Sequence, residues 1–235
     1  MRAAVGFLTV LGGAERPDGR APAWFGAVGA LVGLAVGGVW WGADRLWAPA
    51  LAATLAVGAD ALLTGMLHLD GLADTADGLL PPADRARRRA IMASPDVGAF
   101  GLVAVVLVLA ARIGALAELP PSPLLVAGLW ALVRAGMALA IVWLPYAGAG
   151  IARGFRPSGT ASTVAAGVSA VVAGALIVIA AGALSGLAAL GGAVAAFAAI
   201  LGLGVRRLGG FSGDVLGAAG VTGETAGLLM AAAQW

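Results

Sequence analysis

HLDGLADTADGLL, residues 68–80, places three aspartates beside the only histidine of the chain. The sequence around it is of another kind. Of 235 residues, 61% are hydrophobic and only 11% charged, with a mean hydropathy of +0.99. A soluble domain carries roughly 25% charged residues, so this chain lacks the polar groups to cover itself in water. The expected fold class is all-α: a polytopic membrane helix bundle forming one membrane-embedded domain over residues 1–235. The charged stretch then belongs at a membrane edge.

A spanning helix needs roughly 20 mostly apolar residues. Seven candidates follow, at about 24–43, 49–69, 98–117, 122–145, 161–182, 184–204 and 213–233. The intervening stretches carry turn chemistry, as in ELPPSP and RRLGGFSG. The break near Gly182 is the weakest, because residues 161–204 hold no charge. The opening MRAAVGFLTVLGG reads as a half-helix at the interface rather than a signal peptide. The 38 glycines suit close helix packing in lipid.

With seven spans, one side receives the N-terminus and the loops after spans two, four and six. Eleven arginines fall there (Arg2, Arg16, Arg20, Arg85, Arg87, Arg88, Arg89, Arg153, Arg156, Arg206 and Arg207), against Arg45 alone on the other side. The positive-inside rule makes the first side cytoplasmic. Residues 70–97, RGFRPSG and RRLGGFSGD then converge on that side. With no cysteine, thiolate and disulfide chemistry are excluded. The sequence pI of 10.4 does not imply nucleic-acid binding, because net charge is +2 and the arginines are dispersed.

Asp70, Asp74 and Asp77 stand at i, i+4 and i+7, one stripe of a helix. Like charges so placed repel unless neutralised. Mg2+ suits them, taking one or two carboxylates and leaving room for substrate phosphates, which points to phosphoryl transfer. The alternative is a solvated loop whose acids balance Arg85–Arg89. The small residues between the aspartates leave room for a ligand or for a second helix. His68 is a general-base or phosphate-contact candidate, or else a packing residue. Asp60 lies within the membrane and needs a partner, with Arg112 and Arg134 as candidates. Arg134 equally suits an anionic substrate. Asp214 opens the last span, as a cap-region residue or a further site carboxylate. Ser212 and Gly213 before it form a turn able to offer N–H groups to phosphate. Arg153 and Arg156 are orientation determinants or phosphate contacts. Glu224 lies deep in the same span, its role open.

The stretch LTGMLHLDGLADTADGL at 63–79 resembles the signature of the cobalamin synthase (adenosylcobinamide-GDP ribazoletransferase) family. FLT at 7–9, WFGAVGALVG at 24–33, IMASPDVGAFG at 91–101 and LGGFSGDVLGA at 208–218 follow in the family's order. The resemblance implies a multi-pass inner-membrane enzyme with its active site facing the cytoplasm. Its partners are a GDP-activated corrinoid, alpha-ribazole or its 5'-phosphate, and membrane lipid; assembly with further copies is left open. It also implies a need for Mg2+ and release of GMP, with Asp70, Asp74 and Asp77 matching the family's aspartates, His68 its histidine and Asp214 the aspartate of its TGD motif. The mechanism expected on these residues has Mg2+ held by Asp70, Asp74 and Asp77, Asp214 or His68 accepting the hydroxyl proton, and Asp74 central to catalysis. Arg134, Arg153, Arg156, Ser212 and Gly213 are the expected substrate contacts. The chain departs from the pattern at Ala93-Ser94-Pro95-Asp96, at Val10 and Gly12, and at Val221. Two other readings are weighed. A CDP-alcohol phosphotransferase needs an Ala-Arg pair where Ala73-Asp74 stands. A transporter would use Asp60, Arg112, Arg134 and Glu224 as its pathway, but no internal symmetry supports one.

Overall fold

The computed structural model describes residues 1–13, 16, 18–148, 154–156 and 160–234, which are helical with no β-strand. The helices are α1 (Arg2–Leu8), α2 (Phe25–Ala43, entered through a 3-10 turn at Ala21–Trp24), α3 (Pro49–Thr64), α4 (Leu67–Leu79), α5 (Arg85–Met92), α6 (Ala99–Glu118), α7 (Pro123–Trp143), α8 (Thr160–Ala181), α9 (Ala183–Leu208) and α10 (Gly213–Ala232). Starts are set by ordinary capping chemistry. Asp84, Ser122 and Ser212 each accept an N–H from the first turn of α5, α7 and α10. Pro49 and Pro123 take first-turn positions where no amide is needed.

Among the described residues, six helices are long and apolar enough to cross a membrane, counting Ala21–Ala43 as one, and α3 with α4 makes a seventh if the bent pair is one span. The chain is thus built as a multi-pass membrane protein. α7 and α10 form the centre: 78% and 72% of their apolar windows are buried, against 17% for α8. The expected weak break is present at Gly182, whose φ of 82° separates α8 from α9.

The second span departs from expectation. It does not run straight over 49–69. α3 stops at Thr64, Gly65 and Met66 both adopt φ 60°, and α4 leaves at 89° to α3. Gly65 takes the left-handed conformation at no steric cost. Hydropathy does not register the turn, because Leu63 to Leu69 stay mostly apolar through it. Two expectations change with it. Asp60, Thr64 and His68, which their i, i+4, i+8 spacing would put on one face of a straight span, do not share one continuous helix face, and much of the segment 70–97, read as loop, is α4 and α5.

The bend leaves Asp60 in the bundle. Its Oδ2 accepts from Arg112 of α6 and its Oδ1 from Trp130 Nε1 of α7, both at 2.8 Å. Arg112 also donates to Thr225 Oγ1 at 2.8 Å, to the Val221 carbonyl at 3.0 Å and to Glu224. Arg134 of α7 donates to the other Glu224 oxygen. Two arginines and two carboxylates therefore balance inside the membrane and tie α3, α6, α7 and α10 together. An unpaired charge there is costly, and each of these has partners. The four residues proposed for a transport pathway are a closed structural network. Removing one member strands the others, at a cost of about 3–5 kcal/mol for a buried pair. Arg112→Leu is expected to lower the thermal unfolding midpoint in detergent sharply; an unchanged midpoint would deny the network its structural role.

Candidate active site

The charged helix α4 is fixed at both ends. At its C-terminus, the Gly78 and Leu79 carbonyls accept from Arg88 Nη1, each at 2.8 Å. Arg207 Nη1, from the end of α9, reaches the carbonyls of Leu79 and Leu80. Guanidinium groups satisfy the orphan carbonyls there and complement the negative end of the helix dipole. Along its flank, α4 lies directly on α10. A methyl group added at Gly71 would stand 2.8 Å from the Asp214 carbonyl oxygen, and one at Gly217 would stand 3.3 Å from His68 Cα. The small residues between the aspartates thus admit neighbouring helices.

The three aspartates have different surroundings. Asp77 is buried. Its Oδ2 accepts from Gly98 N–H at 2.7 Å and its Oδ1 from Gly101 N–H at 2.9 Å. It is a capping carboxylate for α6 supplied from another helix. Asp74 is half-buried and Asp70 exposed. Asp70, Asp214 and Asp77 all lie near enough to Asp74 for their charges to act on it. Asp214, half-buried, accepts from Ser212 Oγ at 3.2 Å, while the same Oγ accepts Val215 N–H at 3.2 Å. The cap that starts α10 therefore also orients Asp214.

Beside Asp214 opens a cavity of about 430 Å³, walled by Arg89 and Met92 of α5, Ala147 and Gly148, Leu208 at the end of α9, and Ser212. Backbone pairing holds the 145–148 segment there: Phe211 N–H donates to the Pro145 carbonyl at 2.9 Å and Ala147 N–H to that of Phe211 at 2.8 Å. Residues from the stretches after spans two and six meet there with Ala147 and Gly148, while the expected RGFRPSG stretch lies partly outside the described residues and contributes no lining residue.

The remaining expected residues divide. Ser212 lines the cavity and Gly213 follows it as the first residue of α10. Arg134 does not face a substrate; it is 2% exposed and paired with Glu224. Arg156 is exposed beside the buried Phe155 and does not line the cavity described above. Arg153 lies outside the described residues. His68 is sealed between α4 and α10 at 6% exposure, with no hydrogen-bond partner for Nδ1. Sequence reading missed Arg89 on the cavity wall and Arg88 and Arg207 as helix caps. They looked like general positive-inside charge, and nothing local marks which carbonyl each would reach.

The fit to a metal is specific. Among the described residues, no three His, Asp or Glu side chains converge to hold an ion by themselves. Mg2+ does not need three; it uses one or two carboxylates plus waters and substrate phosphates. Asp70 and Asp74, with no ion-pair or capping partner among the described residues, suit that donor set. Asp77, expected as a third ligand, has both oxygens engaged by amides.

Residues 1–232 match the model of the family described as Cobalamin-5-phosphate synthase. The chain belongs to the cobalamin-5-phosphate synthase family. Within curated proteins it is 37% identical to the adenosylcobinamide-GDP ribazoletransferase of Bradyrhizobium diazoefficiens, over 99% of this chain and 93% of that one. It is 41% identical to the protein of that name from Azorhizobium caulinodans, over 81% and 75%, and 34% identical to that from Chlorobium phaeobacteroides, over 83% and 80%. No solved structure matches it. As a cobalamin-5-phosphate synthase family member, the chain carries two of the stretches that resembled that family, 63–79 and 208–218, where α4 and the start of α10 meet. Their tasks separate by stability. Asp77→Ala is expected to lose about 1–2 kcal/mol or more, as a lost helix cap does, whereas Asp70→Ala relieves repulsion and keeps or raises stability. Chemical or thermal unfolding in detergent distinguishes them, and equal losses would contradict the division of roles.

Proposed function

We propose that the chain joins adenosylcobinamide-GDP to alpha-ribazole or its 5'-phosphate, making adenosylcobalamin or its 5'-phosphate and releasing GMP. The observation that carries the reading is the meeting of Asp70 and Asp74 of α4 with Asp214 of α10 beside a cavity, in a chain of this family. A hydroxyl oxygen of the ribazole attacks the phosphorus on the corrinoid arm, and the bond from that phosphorus to the GMP oxygen breaks. Asp70 and Asp74 would hold Mg2+, which supplies charge stabilisation at the pyrophosphate. Arg89, on the cavity wall, offers a further cation to the pyrophosphate.

Two proton acceptors were in view. Asp214 is half-exposed and held in place by Ser212, so it can meet a hydroxyl in the cavity. His68 is sealed under α10 and cannot reach one without movement of that helix. Asp214 is therefore the acceptor, and His68 a packing and positioning group behind it. The arginine asymmetry supports a cytoplasmic position for this face, in an inner-membrane protein. Membrane lipid is its solvent, and both soluble substrates reach it from one side.

The test is transfer by purified protein in liposomes, supplied with both substrates and either Mg2+ or EDTA. GMP and joined corrinoid are expected with Mg2+ alone. Asp74→Asn is expected to lower kcat by roughly 10²- to 10³-fold with normal membrane insertion. Full activity of that variant, or product in EDTA, would contradict the reading.

A further inference from the structure

A second cavity, of about 520 Å³, lies on the far side of α5 from the first. Two residues apart on a helix point about 200° apart, so Arg87 lines this cavity while Arg89 lines the other. Its remaining walls include Asp77, Ser94, Asp96 and Phe100. The two cavities thus flank the aspartate stripe, one at Asp214 and one at Asp77. Asp70 and Asp77 stand about 10 Å apart along α4 at 1.5 Å per residue, comparable with the reach of a nucleotide from its base to its pyrophosphate.

The chemistry of the second cavity is particular. Asp96 is an exposed carboxylate at the mouth of α6. Its Oδ2 accepts from Ser94 Oγ at 3.1 Å, and Ser94 Oγ in turn accepts Asp96 N–H at 3.3 Å. The carboxylate is therefore oriented, with acceptor capacity to spare. Phe100 is 50% exposed and offers a ring face of the kind on which bases stack. Arg87 stands ready for a phosphate. Of the common bases, guanine alone presents two adjacent donors, N1–H and the exocyclic amine, to a carboxylate. Adenine presents a ring acceptor at N1, and hypoxanthine lacks the amine.

We propose that this second cavity is the guanine subsite of the donor nucleotide, with Asp96 reading the base edge and Phe100 stacking on its face. It rests on the transferase reading for its role, and places the pyrophosphate over Asp70 and Asp74 with the acceptor entering beside Asp214.

The test is direct binding of GMP, IMP and AMP to the full-length protein in detergent, alongside transfer activity. Wild type is expected to bind GMP more tightly than IMP or AMP. A hydrogen bond to a charged group is worth roughly a factor of 10 to 100 in affinity. Asp96→Ala should lose about that factor for GMP and leave AMP unchanged. Phe100→Ala should weaken all three nucleotides alike. Both residues are exposed, so neither change removes a core contact, and unchanged unfolding midpoints check this. No preference for GMP in wild type, or a preference that survives Asp96→Ala, would overturn the proposal. The two readings fail separately. A chain that shows the Asp96-dependent preference but transfers nothing retains the subsite and loses the transferase. One that transfers with unaltered base selectivity in Asp96→Ala loses the subsite alone.

Discussion

At Gly71 a methyl group would stand 2.8 Å from the backbone oxygen of Asp214, closer than non-bonded atoms tolerate. The close approach of α4 to the start of α10 is thus possible only with no side chain at that point. It is also what brings carboxylates from two distant parts of the chain together. Asp70 and Asp74 flank Gly71 on one helix, and Asp214 sits opposite it on the other. Such a concentration of negative charge is unfavourable unless something outside the carboxylates stabilises it. Here that something is the anchoring of α4 elsewhere: Arg88 and Arg207 hold its last carbonyls, and Asp77 is held by the amides of α6.

The 89° bend before α4 separates two kinds of polar group. Asp60 stays among spanning helices, where Arg112 and Trp130 consume its oxygens. Beyond Gly65 and Met66, the acids of α4 are turned toward the ends of α5, α6 and α9, where polar ligands have access. A straight helix would have carried Asp60, Thr64 and His68 as one face. The same residues would then have competed for the same partners, and the buried network and the open site could not be distinct.

Composition and charge in the sequence carried the membrane class, the number of apolar helices and the meeting of the arginine-bearing stretches after spans two and six. These are sums over many residues, and single errors average out. The aspartate stripe was visible because i, i+4, i+7 spacing survives in any helix. What stayed hidden depended on contacts distant in sequence. Asp77 has the same spacing as its neighbours, and only the amides of Gly98 and Gly101 assign it to capping. Arg134 looked like an anion contact until Glu224, 90 residues away, took its guanidinium. Gly65 followed Thr64 as a helix-ending glycine would, yet the apolar residues on both sides read as one span. The second cavity was invisible for the same reason: Arg87, Asp96 and Phe100 form a wall only once α5 and the start of α6 are set around Asp77 of α4.

The central claim is that the α4 aspartates and Asp214 form one chemical centre across two helices. A double-mutant cycle in kcat/KM on Asp74→Asn and Asp214→Asn tests this most directly, because groups that act as a unit are grossly non-additive. The account predicts that the double variant is barely slower than the worse single variant. Losses that add in free energy, as for independent sites, would contradict it.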